Sequence, residues 1–193
     1  MGKFMADLHI HSTLSPCGSL ETLSKNVVKE VKEVDFNLNS ITNLNYMDNT
    51  LLSKKIADKN CNQVQAKKQI FKNFFVMDLR TKNKVHLLIY FDDSLSVCKI
   101  IYEKLPDVKN DSEYFSIQAI VDVEKIVLGH EEKLLINLSK ITHNKLYKIV
   151  KGRKTDIIPS FTDTIFFYTI SLFGFIQEDV DTKFLVKIIT LYK

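Results

Sequence analysis

The sequence predicts an α/β fold, and three observations carry that reading. Short runs that alternate polar and apolar residues, or are almost wholly apolar, recur along the chain. Stretches with apolar residues at helical spacing separate several of them, and neither an internal repeat nor a linker interrupts the series. The 193 residues suit one domain, 1–193, long enough to bury a core. At 45% hydrophobic and 26% charged residues, the composition excludes a disordered chain. Alternating strands and helices point to parallel strands, arranged as a barrel or an open sheet.

The first element is FMADLHIH, a strand, followed by the loop STLSPCGS. TLSKNVVKEVKEV then sets Leu23, Val27, Val28, Val31 and Val34 on one helical stripe, with lysines and glutamates opposite. FNLNSITNLN is a strand running into a loop, and residues 50–73 read as polar helix or loop. NFFVMDL and KVHLLIYF are strands, the second apolar enough to be buried on both faces. SLSVCKIIYEKL is an amphipathic helix with Ser94 as N-cap. IQAIVDVEKIVLG gives two short strands around a polar turn, and residues 131–154 one or two helices. DIIPSF is a short strand, the Phe-rich run 161–176 reads as core, and KFLVKIITLY is an apolar final segment.

The net charge of +4 comes from 27 basic residues scattered along the chain, a mild attraction to anions that does not demand nucleic acid. The basic cluster KLYKIVKGRK (145–154) reads as a solvated helix face. Three widely spaced cysteines, 17, 61 and 98, point to reduced thiols and a cytoplasmic setting. MGKFMADL lacks the apolar core of a signal peptide. The most apolar run, 164–176, is shorter than the roughly 18–20 residues that span a bilayer, so no membrane is expected.

The chemistry concentrates at His9 and His11. Residues two apart on a strand face the same side, so the two imidazoles project together, a sound start for a divalent metal site. Asp78 and His86 lie on apolar strands, where a polar side chain needs a partner. His130 and His143 have no ligand spacing around them and read as surface residues. Cys17 reads as a small loop residue rather than a ligand or reactive thiol.

The string ADLHIHSTLSPCG resembles the opening motif of the PHP (polymerase and histidinol phosphatase) family. The resemblance continues in order through NVVKEVKEVDFNLNSITNLN, FFVMDLRTKNKVHLLIYF, LPDVKNDSEYFSIQAIVDVEKIVLGHEEKLLIN, IIPSFTD and ISLFGFI. It implies a distorted (β/α) PHP-type barrel and a metal-dependent phosphoesterase. His9 and His11 stand at the first ligand pair, Asp78 where a bridging glutamate is usual, and His86 at a second-metal histidine. Asp163 survives from an I-P-A-H-x-D motif as a hydrogen-bond support near the site. Leu44 and Phe161 replace imidazole ligands, and Ser15, Pro16 and Cys17 occupy a loop that often carries an aspartate. The family's late Asp-x-His pair would fall beyond Lys193, so the barrel is expected to be incomplete at its C-terminus, with an open edge for a second copy or a partner chain.

Such a ligand set implies one or two divalent ions at most (Zn, Mn or Fe) and no third. Two readings stay open. One is a phosphoesterase with an eroded site, hydrolysing a phosphate ester of a nucleotide or small phosphorylated metabolite through metal-bound hydroxide. The other, favoured by Leu44 and Phe161, is an inactive PHP-like domain kept as a binding or regulatory module, or a decaying gene copy. Nucleic-acid processing is the weaker third reading.

Overall fold

The computed structural model describes residues 6–34, 38–47, 49, 72–73, 75–91 and 95–160. Within these, the strands are β1 (Ala6–Ile10), β2 (Leu38–Leu44), β3 (Lys72–Asn73), β4 (Phe75–Arg80), β5 (His86–Phe91), β6 (Ala119–Val121), β7 (Val127–His130) and β8 (Thr155–Pro159). The helices are α1 (Ser24–Glu33), α2 (Leu95–Tyr102) and α3 (His143–Val150). Residues 161–193, which include Phe161, Asp163 and the apolar final segment, lie outside the described residues, as do Ser94 and nearly all of 50–73.

The main sheet runs β1-β2-β4-β5-β8, with β3 also paired to β2. β1–β2 and β2–β4 are parallel, but β4–β5 and β5–β8 are antiparallel. The expected all-parallel arrangement is therefore corrected to a mixed sheet. A parallel return needs a crossover of a dozen or more residues. Residues 81–85 allow only a tight reversal, closed by Thr81 N donating to Val85 O at 2.9 Å. Between β1 and β2 there is room for such a crossover, and α1 makes it, burying Val27 and Val31 against Ile41 and Ile10. Val34 ends up exposed just past the helix.

Successive residues of β4 and β5 serve opposite faces of the sheet. Met77, Leu79, Leu87 and Ile89 form the large core with Val97, Cys98 and Ile101 of α2 and Leu146 and Val150 of α3. The other face carries a small apolar cluster of Val76, Leu88, Ile158 and Tyr90, and on it lie Asp78 and His86. β5 is buried on both faces except at Tyr90, as its composition predicts.

The sheet curls enough for its ends to touch through side chains. Tyr90 Oη donates to Leu8 O at 3.4 Å, and Ser160, just after β8, reaches His9. Among the described residues no backbone pairing joins β1 to β8, so a closed barrel is not shown.

β6 and β7 form a separate hairpin, as expected. Of the one or two helices expected over residues 131–154, one forms, α3, and residues 131–142 are not helical. The buried side chain of Gln118 takes their backbone groups instead: Nε2 donates to Glu131 O and Lys133 O, and Oε1 accepts from Leu135 N. A side chain that satisfies these groups removes the reason to form a helix. His143, expected on the surface, is buried as the first residue of α3, behind the N-cap Thr142. Among the described residues no helix is long and apolar enough to cross a membrane.

Candidate metal centre

Asp78 is the centre of the site. Its carboxylate is fully buried on the face of β4 away from the helices, and three imidazoles converge on it. His9 Nε2 lies 3.2 Å from Oδ2, and His11 Nε2 lies 3.5 Å from the same oxygen. His86 Nδ1 lies 3.3 Å from Oδ1 and 3.4 Å from Oδ2.

Local structure explains each approach. Asp78 pairs with Leu88, and Arg80 with His86, so His86 is the diagonal neighbour of Asp78 on one face of an antiparallel pair. In β1 the register slips between Asp7 and Ile10, three residues matching two of β2. Such a bulge twists a strand and re-aims its side chains, here those of His9 and the following His11. The two rings sit edge to face, centroids 5.1 Å apart.

His9, His11 and Asp78 each offer a donor atom within 4.8 Å of the others. The Asp78 contacts of 3.2–3.5 Å match the spacing of neighbouring ligand atoms around one ion held at about 2.0–2.2 Å. Two buried atoms, His11 Nε2 and Asp78 Oδ1, make only long contacts within the cluster, at 3.5 and 3.3 Å, an arrangement that a bound cation would satisfy better. The residues fit a divalent ion. His86 stands outside this three-residue group and approaches it through the carboxylate of Asp78.

The loop after His11 is fastened by buried amides. Asn43 Oδ1 accepts from Ser12 N, Ser12 Oγ and Ser15 Oγ at 3.0, 2.8 and 3.3 Å. Asn49 Nδ2 donates to Ser12 Oγ, Thr13 Oγ1 and Ala119 O. Leu44, which the resemblance sets in place of a histidine ligand, pairs in register with Asp78 but packs with Leu14, Leu105 and Leu135.

Three neighbours escaped the sequence reading. Ser160 Oγ lies 3.3 Å from His9 Nδ1, placed to accept Nδ1–H and so to orient the ring for metal binding through Nε2. Cys17, expected to be a plain loop residue, is corrected: its Sγ lies 2.8 Å from His11 Nδ1. Arg80, two residues past Asp78, donates through Nη1 to Ile136 O and brings positive charge beside the carboxylate. Period-two spacing from Asp78 is the available signal for Arg80; Cys17 and Ser160 stand in the motif strings ADLHIHSTLSPCG and IIPSFTD, which do not show what each touches.

The electrostatics are tightly coupled. Burial alone would lower the pKa of His11, but contact with Asp78 and Cys17 outweighs it and raises it to about 9. Burial would raise Asp78, yet the three histidines hold it well below the usual carboxylate range. Burial likewise opposes the Cys17 thiolate, but His11 prevails and its pKa falls.

The signs of the linkage follow. In the metal-free protein the His11 contribution to stability is complete below its unfolded value of about 6.5 and is lost as pH rises through about 9. The Asp78 contribution is present above about 3.9 and is lost as pH falls through its depressed folded value. A cation must displace the His11 proton, so its apparent affinity should rise by up to about tenfold per pH unit between pH 7 and 9. Isothermal titration with Zn²⁺ at several pH values checks this, and an affinity flat across that window contradicts it.

Fold and site together define a mixed α/β architecture with a His-His-Asp cluster suited to a divalent ion. No family model matches the chain, and no curated protein matches it in sequence. Among solved structures, the chain is similar to a proposed metal-dependent phosphoesterase from Bifidobacterium adolescentis, with a TM-score of 0.52 and 11% identity over 85% of this chain and 69% of that one. It is also similar to Endonuclease Q, solved with a duplex carrying an abasic lesion, at a TM-score of 0.49 and 16% identity over 83% of this chain and 35% of that one. At 11% identity the first likeness bears on the fold alone, an α/β arrangement shared with that structure.

Proposed function

We propose that this chain is a PHP-type, metal-dependent phosphoesterase domain with a reduced site that holds one divalent ion. The observation that carries this reading is the meeting of His9, His11 and Asp78, from separate parts of the chain, as three donor atoms within 4.8 Å of one another at a buried carboxylate. His9 and His11 supply neutral imidazole donors, and Asp78 supplies the charge that offsets the cation. His86, the fourth donor of the expected set, lies against both oxygens of Asp78 and fixes the rotation of the carboxylate. Ser160 orients His9. An ion held there supplies Lewis acidity toward a phosphoryl oxygen and lowers the pKa of water. Arg80, two residues on along the same face of β4, adds positive charge near the site, which favours an anionic substrate, a phosphate ester of a nucleotide or small metabolite.

The second reading, an inactive PHP-like binding or regulatory module, has one observation in its favour. Leu44, in register with Asp78, is absorbed into an apolar cluster where an imidazole donor would extend the site. One experiment separates the readings. Protein purified without chelators should carry about one equivalent of metal and hydrolyse p-nitrophenyl phosphate in added Mn²⁺ or Zn²⁺, and the His9→Ala/His11→Ala double variant should do neither. Metal without turnover selects the binding module. No metal and no turnover, with the double variant unchanged, overturns the phosphoesterase reading and likewise leaves the inactive module.

A further inference from the structure

His11 is engaged at both ring nitrogens, and only one of its neighbours belongs to the donor cluster. Nε2 faces Asp78 at 3.5 Å, while Nδ1 lies 2.8 Å from Cys17 Sγ. An imidazole that binds metal through one nitrogen carries its proton on the other. The group that accepts that proton fixes the ring's orientation and tautomer. Carboxylates and backbone carbonyls usually do this; a thiol sulfur occupies the position here. The sulfur is not itself part of the compact donor group, which among the described residues contains His9, His11 and Asp78.

We infer that Cys17 is the positioning residue of His11: its sulfur accepts the Nδ1–H hydrogen bond and thereby turns Nε2 toward Asp78 in the tautomer able to bind a divalent cation. This rests on the metal-site reading above. The loop is built to keep the sulfur in place. Ser116 N donates to Pro16 O at 3.2 Å, Ser116 Oγ to Ser15 O at 2.9 Å, and Gly18 N to Ser15 O at 2.8 Å. A Cβ at Gly18 would stand 2.1 Å from Ser12 O, so only glycine lets the chain close tightly behind Cys17.

Cys17 is exposed although its partner lines the site. The two ligand imidazoles thus differ: His9 leans on the hydroxyl of Ser160, and His11 on a thiol open to reagents in solution. A group attached to that sulfur displaces it from Nδ1, so thiol modification weakens metal binding without touching a ligand.

The test uses the full chain and Zn²⁺, with affinity read by competition against a chromogenic chelator. Cys17→Ala should bind about 10–100-fold more weakly with an unchanged far-UV circular dichroism spectrum. Cys17→Ser, whose hydroxyl also accepts, should recover most of the loss. If Cys17→Ala fails to fold, iodoacetamide treatment of the wild type should give the same weakening, with treated Cys17→Ser as the control for other thiols. In ¹⁵N spectra of the histidine rings of metal-free protein at pH 10, above the His11 pKa of about 9, the wild type should hold His11 in the Nδ1–H form, and Cys17→Ala should release it into a mixture. Wild-type affinity in Cys17→Ala overturns the inference, as does a sulfur-to-metal charge-transfer band in the Co²⁺-loaded wild type. If the wild type binds no Zn²⁺, the metal-site reading falls by itself. The ring spectra then decide the role of Cys17: identical spectra for wild type and Cys17→Ala overturn it.

Discussion

Asp78→Asn should abolish tight metal binding, lowering Zn²⁺ affinity by more than about 100-fold, because losses in groups that only orient a ligand already cost about 10–100-fold. The amide keeps the shape of the side chain but removes the one charge that all three histidines face. The same substitution should erase the alkaline part of the stability profile. His11 would lose its principal anionic partner, its pKa would fall back, and the stability otherwise lost as pH rises toward about 9 would no longer be there to lose. Equilibrium urea unfolding of metal-free wild type and variant at pH 6 and pH 10 measures this. A variant that keeps the wild-type difference between the two pH values shows that Asp78 does not hold the His11 proton.

Leu79→Ala should act one residue away and on the opposite face. Leu79 is fully buried and pairs in register with Leu87 beneath α2 and α3. Truncating a buried leucine costs about 2–5 kcal/mol, from lost burial and the cavity left behind. At roughly 2–4 °C per kcal/mol for a chain of this size, Tm should fall by about 5–15 °C. The folded variant should bind Zn²⁺ as wild type does, because its side chain points into the helix-covered core rather than toward the donors. A cold, folded Leu79→Ala that has lost metal affinity would show that the two faces are not independent.

The pair illustrates what period two makes legible. MDLR places Asp78 between Met77 and Leu79, and alternation alone says that the aspartate faces away from its neighbours. The strands around it were readable for the same reason, and so were α1 and α2, whose apolar residues recur at helical spacing. Whether residues 131–154 hold one helix or two was not readable, because the backbone of 131–135 is taken by Gln118, more than ten residues earlier. The parallel arrangement failed at the step from β4 to β5, where the length of the reversal outweighs the pattern of the strands.

His9, His11, Asp78 and His86 were identifiable because histidine pairs and carboxylates are conspicuous in apolar strands, and because the longer string resembles a known motif. Their separate standings were not. That His9 and His11 share Asp78 Oδ2 while His86 approaches the carboxylate on its own depends on the bulge in β1 and the register of β4 with β5. Cys17 on His11 depends on a tight loop closure across six residues, and Ser160 on His9 is decided least locally of all. His9 and Ser160 are 151 residues apart, joined only because the curled sheet brings the end of β8 to β1. The sequence by itself determined where the strands run, which face Asp78 takes and which residue types could bind a metal, because these follow from local periodicity and side-chain chemistry. Only the tertiary structure decided which donors meet and what holds each imidazole, because register, curvature and a tightly closed loop act between residues that the chain keeps far apart.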